Sequence, residues 1–185
     1  DKNILYSGGV DGRIHKWTSS CDTKEEEFPI HTIPAHDGRV NALVLAKENG
    51  WLFSASHDGT VQCRPATTNN GMQTDPLLGK ITIASHIDGA LARVLSMACV
   101  RDEKGMAEVV VGTACGSLYC ISVTERNEDS HDSSVEMKLK ENASQLFQGD
   151  PSIHSICPIS MEENDTSVSF FAGHSVGLSA MTFET

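Results

Sequence analysis

The sequence predicts an all-β fold built from repeated β-hairpins, on three observations. First, four stretches of the 185-residue chain stack without gaps, at residues 4–17, 51–64, 108–121 and 169–182. Second, each reads as an apolar run, two or three small residues, a turn ending in glycine, and a second strand whose side chains alternate. Thr60-Val61-Gln62-Cys63-Arg64 is one such strand. Third, the turn glycines Gly12, Gly59, Gly116 and Gly177 recur at roughly 50–60 residues, which leaves room for two further strands per unit. Glycine suits a tight hairpin because it accepts positive φ without a Cβ clash. The small residues ahead of each turn let neighbouring sheets approach closely.

The units are expected at about residues 1–34, 35–85, 86–148 and 149–185. In front of the second hairpin, strands at 28–35 and 39–46 are joined by Ala35-His36-Asp37-Gly38. In front of the third, strands at 80–85 and 92–101 are joined by Ser85-His86-Ile87-Asp88-Gly89. The Ala, Leu and Met of residues 90–100 favour a helix, but the repeat frame requires a strand there. Ahead of the strand at 153–159, residues 143–148 fit the spacing better than 135–140, which alternate well. Residues 124–134 then form an acidic, Ser-rich insertion. Residues 67–75 and 19–27 are polar loops, and Glu25-Glu26-Glu27 reads as a solvated face.

Composition narrows the function. The chain has 14 Lys+Arg against 25 Asp+Glu, a formal net charge of −11. It has no basic run of the kind that binds nucleic acid or anionic membranes. No apolar run approaches the roughly 20 residues that cross a bilayer. The opening Asp1-Lys2-Asn3 carries no initiator Met, signal or transit segment, so an excised piece or processed product is expected. Six cysteines (21, 63, 99, 115, 120 and 157) form no CxxC pair and read as free thiols in a reducing compartment. The eight histidines fall at unrelated frame positions with no HxH or HxxxH pair, so no metal site is expected. Gly173-His174-Ser175-Val176-Gly177 is a hairpin of the repeat, not a strand-to-helix nucleophile elbow.

Ala35-His36-Asp37-Gly38-Arg39-Val40-Asn41-Ala42-Leu43 and Phe53-Ser54-Ala55-Ser56-His57-Asp58-Gly59-Thr60-Val61 carry a more specific likeness. They resemble the Gly-His start and the inner hairpin of the WD-repeat family of β-propellers, whose blades are four-stranded antiparallel sheets of roughly 40–45 residues. Trp17 keeps the Trp of the Trp-Asp signature without its Asp, and Arg64, Ile121 and Thr182 stand there in later units. The resemblance spans essentially the whole chain. It implies an arc of a larger ring of seven or eight blades, the first blade lacking its innermost strand and the last its outermost. An arc leaves apolar faces in water, so the isolated chain is expected to aggregate or partly unfold until they are covered.

By the same resemblance, His36 and Asp58 take the His and Asp roles of a network that knits each blade, with Ser54 or Ser56 as the hydroxyl. Asp11 and Trp17 fill two roles in the first unit. Cys115 and Val176 replace the Asp later, so those units must rely on apolar packing. Loops at one face of the ring are the expected contact surface. Val10, His57, Ala114 and Ser175 stand before the turn Asp position, and Asp37, Arg39, Asp88 and Arg93 lie around the loops that lead into each blade. Together with His174, the candidates for partner contact are Asp37, Arg39, His57, Asp88 and Arg93, the arginines suiting an acidic partner. The reading is a non-catalytic scaffold or adaptor that joins proteins in an intracellular complex, cytoplasmic or nuclear. It needs no cofactor, metal or small-molecule substrate. The alternative is a propeller-type hydrolase with its site in the central channel.

Overall fold

Fourteen strands succeed one another among the residues that the computed structural model describes, namely 3–19, 29–66, 76–85, 89–126, 134–140, 152–159 and 167–184. They make four antiparallel sheets in chain order. The first holds β1 (Asn3–Gly8), β2 (Arg13–Ser19) and β3 (His31–Pro34). The second holds β4 (Val40–Ala46), β5 (Trp51–Ser56), β6 (Thr60–Pro65) and β7 (Gly79–Thr82). The third holds β8 (Val94–Glu103), β9 (Met106–Thr113), β10 (Leu118–Glu125) and β11 (Val135–Leu139). The fourth holds β12 (Ile153–Pro158), β13 (Ser167–His174) and β14 (Gly177–Glu184).

Each sheet packs face to face on the next, so the core is divided into apolar layers between sheets. One gathers Ile14, Ile33, Val40 and Leu52, the next is built around Phe53, Val61, Val94, Val109 and Val111, and the third around Val110, Leu118, Ile153 and Phe170. A sheet covered on both faces has no polar side to offer, which is why every residue of β5 is buried and Ala107–Thr113 of β9 likewise. The strand frame also overrides local helix propensity at residues 94–100, which lie in β8.

A β-bulge follows the first residue of each leading strand, between Val40 and Ala42, Val94 and Ser96, and Ile153 and Ser155. The extra residue sharpens the local twist and re-aims the side chains around it. Val40 and Ile153 thereby lie against the small residue four places before the turn glycine of the preceding sheet. A Cβ on Gly8 would stand 2.6 Å from Val40 Cγ1, and one on Gly112 would collide with Ile153. Ala55 and Val94 share a core layer at the junction between them.

Three expectations need correction. The fourth strand of the third sheet is Val135–Leu139, whereas residues 143–148 lie outside those described. Alternation outweighs spacing here, because Val135 and Met137 pack against Gly79 of the second sheet. The insertion is narrower than residues 124–134, since Thr124 and Glu125 complete β10. Finally, Gly12, Gly59 and Gly116 take φ of 78°, 80° and 76°, but Gly177 does not enter that region. Pairing in the fourth hairpin continues to His174 opposite Gly177, so the loop is only Ser175-Val176 and the glycine belongs to the ladder. The other hairpins keep three-residue loops closed by the turn glycine, as with Gly59 N–H to Ser56 O at 3.2 Å.

Among the cysteines, Cys63 and Cys120 are buried, Cys99 and Cys115 half-buried and Cys157 exposed, all as free thiols, while Cys21 lies outside the described residues. Burial pushes the Cys63 thiol up to about 12 and those of Cys99 and Cys120 to about 11, so they behave as small apolar side chains.

The close approach at Gly112 makes a direct test. Gly112→Val, whose side chain must displace Ile153, is expected to cost about 1–3 kcal/mol of unfolding free energy in urea denaturation.

Candidate interaction surface

The loop that leads into the second sheet, the β5–β6 hairpin and the first residue of β6 converge on His36. Its side chain is fully buried. Thr60 Oγ1 donates to Asp58 Oδ1 at 2.6 Å. With that proton committed, His36 Nδ1 donates to Thr60 Oγ1 at 2.8 Å, and Nε2 accepts from the Ser54 hydroxyl at 2.8 Å. Burial favours the neutral imidazole, whose proton then sits on Nδ1, and Asp58 Oδ2 lies 3.5 Å from that nitrogen. Asp58 also accepts from the backbone N–H of Thr60 and of Asp37, each at 2.9 Å, which ties the incoming loop to the hairpin. Of the two candidate hydroxyls, Ser54 meets the imidazole. Ser56 instead donates to Gly38 O at 3.0 Å and accepts from Asp58 N–H.

Electrostatics follows from these contacts. Burial holds the His36 pKa below its ordinary 6.5, against the opposing pull of Asp58. Burial alone would raise Asp58, but donation from the Thr60 hydroxyl, the Thr60 N–H and the Asp37 N–H holds it below 3.8.

The first and third units solve the same problem differently. Trp17 Nε1–H donates to Ser7 Oγ at 2.9 Å, whereas Asp11 turns to Arg13, accepting from its N–H at 3.2 Å. In the second unit Arg64 occupies the place of Trp17 and donates to Gln62, which in turn bonds Ala35 O. Around Cys115 the hairpin is not held by apolar packing alone, contrary to expectation. Thr113 Oγ1 donates to Ser117 O and accepts from Ser117 N–H, both at 3.0 Å, and lies 3.2 Å from Cys115 Sγ. One short hydroxyl side chain, bonded to both main-chain groups of Ser117, closes the turn where the carboxylate is missing.

Above this frame lies one rim of the sheets, formed by the hairpin tips and the incoming loops. The same main-chain bond recurs there: His57 N–H to Arg39 O at 2.9 Å, Ala114 N–H to Arg93 O at 2.9 Å, and Ser175 N–H to Ser152 O at 3.2 Å. The side chains on it differ. Asp37, Arg39, His57, Arg93, Val10 and Ser175 are exposed and Ala114 is half-buried, while Asp88 lies outside the described residues. Arg39 and Arg93 stand on adjacent sheets, linked where the Asn41 side chain donates to Val94 O at 2.6 Å. His174 is half-buried at the fourth hairpin and bonds within it. Its Nδ1 accepts from Val176 N–H and its Nε2 meets Ser179 Oγ at 3.1 Å.

Sequence reasoning missed two connections. Thr60, placed immediately after the turn glycine, relays His36 to Asp58. At the opposite rim Asn49 clamps the second sheet to the third. Its side-chain NH2 faces Asp102 Oδ1, Glu103 O and Met106 O at 2.7–3.0 Å, and its carbonyl accepts from Gly105 N–H at 2.7 Å. Nothing in a turn such as Lys47-Glu48-Asn49-Gly50 announces a partner more than 50 residues away. Among the described residues no three of His, Cys, Asp and Glu gather as metal ligands.

These sheets are the blades of a β-propeller. The second carries a WD repeat: residues 27–63 match the family model for the WD domain, G-beta repeat. Solved structures share the fold. Saccharomyces cerevisiae Sqt1 superposes with a TM-score of 0.62 at 16% identity, over 96% of this chain and 41% of its own. The Cps50 (Swd1) β-propeller domain of Myceliophteria thermophila gives 0.60 at 15%, over 98% and 50%. The C-terminal WD40 domain of Sif2 gives 0.55 at 12%, over 98% and 42%. The chain therefore has the fold of part of a β-propeller, with one WD repeat matched at residues 27–63, and it spans half or less of the length of these chains.

Two measurements probe the network. Asp58→Ala strands the donors of Thr60 and Asp37 and should cost about 2–3 kcal/mol in denaturant unfolding, against under about 1 for Cys115→Ala. Equal losses would contradict the assigned roles. Acid should act in two stages. The folded state holds a proton on His36 less readily than the unfolded chain does, so stability declines as pH falls below 6.5. The Asp58 contribution is present above 3.8 and is lost as pH falls through its lowered folded value. The melting temperature should thus fall from about pH 6.5 downward, and His36→Gln should remove the upper stage of that decline.

Proposed function

We propose that this chain is a non-catalytic segment of a WD-repeat scaffold or adaptor that holds other proteins within a larger intracellular assembly, cytoplasmic or nuclear. The observation that carries the reading is the rim. One main-chain bond repeats under three sheets, while the side chains above it change from Arg39 with His57, to Arg93 with Ala114, to Ser152 with Ser175. A fixed backbone with variable exposed side chains suits recognition of other proteins, as loops on a rigid frame do elsewhere. Arg39 and Arg93 make no ion pair among the described residues, which leaves both guanidinium groups for the carboxylates of a partner. A hydrolase would instead need carboxylates or imidazoles recurring at the heads of the inner strands. These begin Val40-Asn41-Ala42, Val94-Leu95-Ser96 and Ile153-His154-Ser155, with one imidazole and no acid.

The test is the double variant Arg39→Glu and Arg93→Glu. It should lose captured partners by about tenfold or more in quantitative affinity mass spectrometry while keeping its melting temperature. Unchanged capture would place the contact elsewhere.

A further inference from the structure

Among the described residues Glu108 is the only buried acid, its side chain 3% exposed. Alternation along β9 places it on the face of Val110 and Gly112, which the fourth sheet covers. A carboxylate in such a layer is costly unless a counter-charge and hydrogen bonds replace its water. Glu108 Oε1 accepts from Lys140 Nζ. Among the described residues Oε2 has no hydrogen-bond partner. The other charges nearby are directed elsewhere. Arg101 stands opposite Glu108 in the β8–β9 pairing, but its Nε lies 3.5 Å from Glu103 Oε1. Glu136 and Lys138, on the same face of β11 as Lys140, pair with each other at 2.9 Å.

The path of the Lys140 side chain is set by register. Glu108 on β9 is opposite Ser122 on β10, and Ile121 on β10 is opposite Leu139, the last residue of β11. Lys140 N–H continues that ladder, donating to Cys120 O at 2.9 Å. Lys140 and Glu108 are thus two strand spacings apart, roughly 10 Å. To meet the carboxylate, the lysine side chain crosses the whole of β10, past Cys120 and Ser122 on the same face. It ties the outermost strand of the sheet to an inner one. β11 has little else to hold it, being five residues long and paired on one side.

We propose that Lys140 is an ionic latch and β11 the strap that it closes, the charge on Lys140 setting how firmly the third and fourth sheets are joined. Withdrawing the ammonium frees the end of β11. The same event leaves Glu108 charged and uncompensated in the apolar layer that holds Val110, Cys120 and Phe170. Strap opening and loosening of that junction are therefore one transition. Lys140 is 29% exposed, so its charge is within reach of a competing carboxylate on another molecule. The latch lies away from the hairpin tips and does not depend on their being a partner surface.

The test uses the whole chain and two readouts, hydrogen exchange of the β11 amides and labelling of Cys120 by N-ethylmaleimide. Cys63, buried in the second sheet, is the internal reference. Lys140→Met keeps the apolar stem and removes the charge. It should speed both β11 exchange and Cys120 labelling about tenfold or more, with Cys63 unchanged. Glu108→Gln should speed β11 alone, because the latch is lost but no charge is stranded. Adding Glu108→Gln to Lys140→Met should return Cys120 to the parent rate. Unchanged β11 exchange or unchanged Cys120 labelling in Lys140→Met overturns the proposal. So does Cys63 accelerating as much as Cys120, which would mean a general loss of stability, and so does a double variant as fast as Lys140→Met. Should Lys140→Met not fold, the double variant decides: its folding supports the latch, and its failure to fold overturns it.

Discussion

Everything in this molecule depends on how closely one sheet can approach the next. The limiting contacts are between a branched side chain at the head of one leading strand and a residue with little or no side chain in the sheet before it, Val40 on Gly8 and Ile153 on Gly112. Only where the Cβ is absent or alone can the sheets close enough to exclude water from the apolar layers. The bulge after each leading residue serves the same end, because it turns that strand into the seat. The hydrogen-bond network around His36 then fixes the incoming loop relative to a hairpin that packing has already placed.

The network shows how hydrogen bonds can offset the desolvation of a buried polar cluster. Ser54, His36, Thr60 and Asp58 form a chain in which each proton has one destination, and the charge at its end is met by two backbone N–H groups. Where the carboxylate is replaced by Cys115, the hairpin still closes, because Thr113 and Ser117 satisfy each other locally. What that hairpin lacks is the carboxylate tie to the preceding loop that Asp58 makes through Asp37.

Much of the fold was legible because glycine spacing is a strong signal. Gly12, Gly59 and Gly116 mark positions where other residues would strain, so the repeat frame could be laid down before any strand was assigned, and it outweighed the helical composition of residues 90–100. The frame failed where its assumption did. Gly177 stands in register with the others in sequence, but the fourth hairpin has one residue fewer in its loop, a difference that only pairing reveals. At residues 135–139 spacing and alternation point to different strands, and alternation prevails because Val135 and Met137 carry the apolar period that packs on Gly79. At the candidate surface, exposure of Arg39 and Arg93 was readable from their place before an apolar strand. The bond of His174 to Ser179 was not, since it runs across a hairpin of altered register. Long-range contacts such as the Asn49 clamp leave no local pattern at all.

That clamp bears on how the protein ages. Asn-Gly is the dipeptide most prone to spontaneous deamidation, in which the following backbone nitrogen attacks the side-chain carbonyl and ammonia leaves. Here the Asn49 carbonyl is held by Gly105 N–H, its NH2 group faces three oxygens, and the Gly50 N–H is itself bonded to Lys47 O at 3.3 Å. The Gly50 nitrogen must therefore leave Lys47 O, and the Asn49 NH2 must leave its three oxygens, before the reaction can proceed. Should the sheets part, loss of ammonia would give a succinimide that water opens to isoaspartate and aspartate, and the new carboxylate would face Asp102 and two carbonyl oxygens. The reaction would then act as a one-way record of opening, because a junction that has separated long enough to deamidate cannot close again on the same contacts.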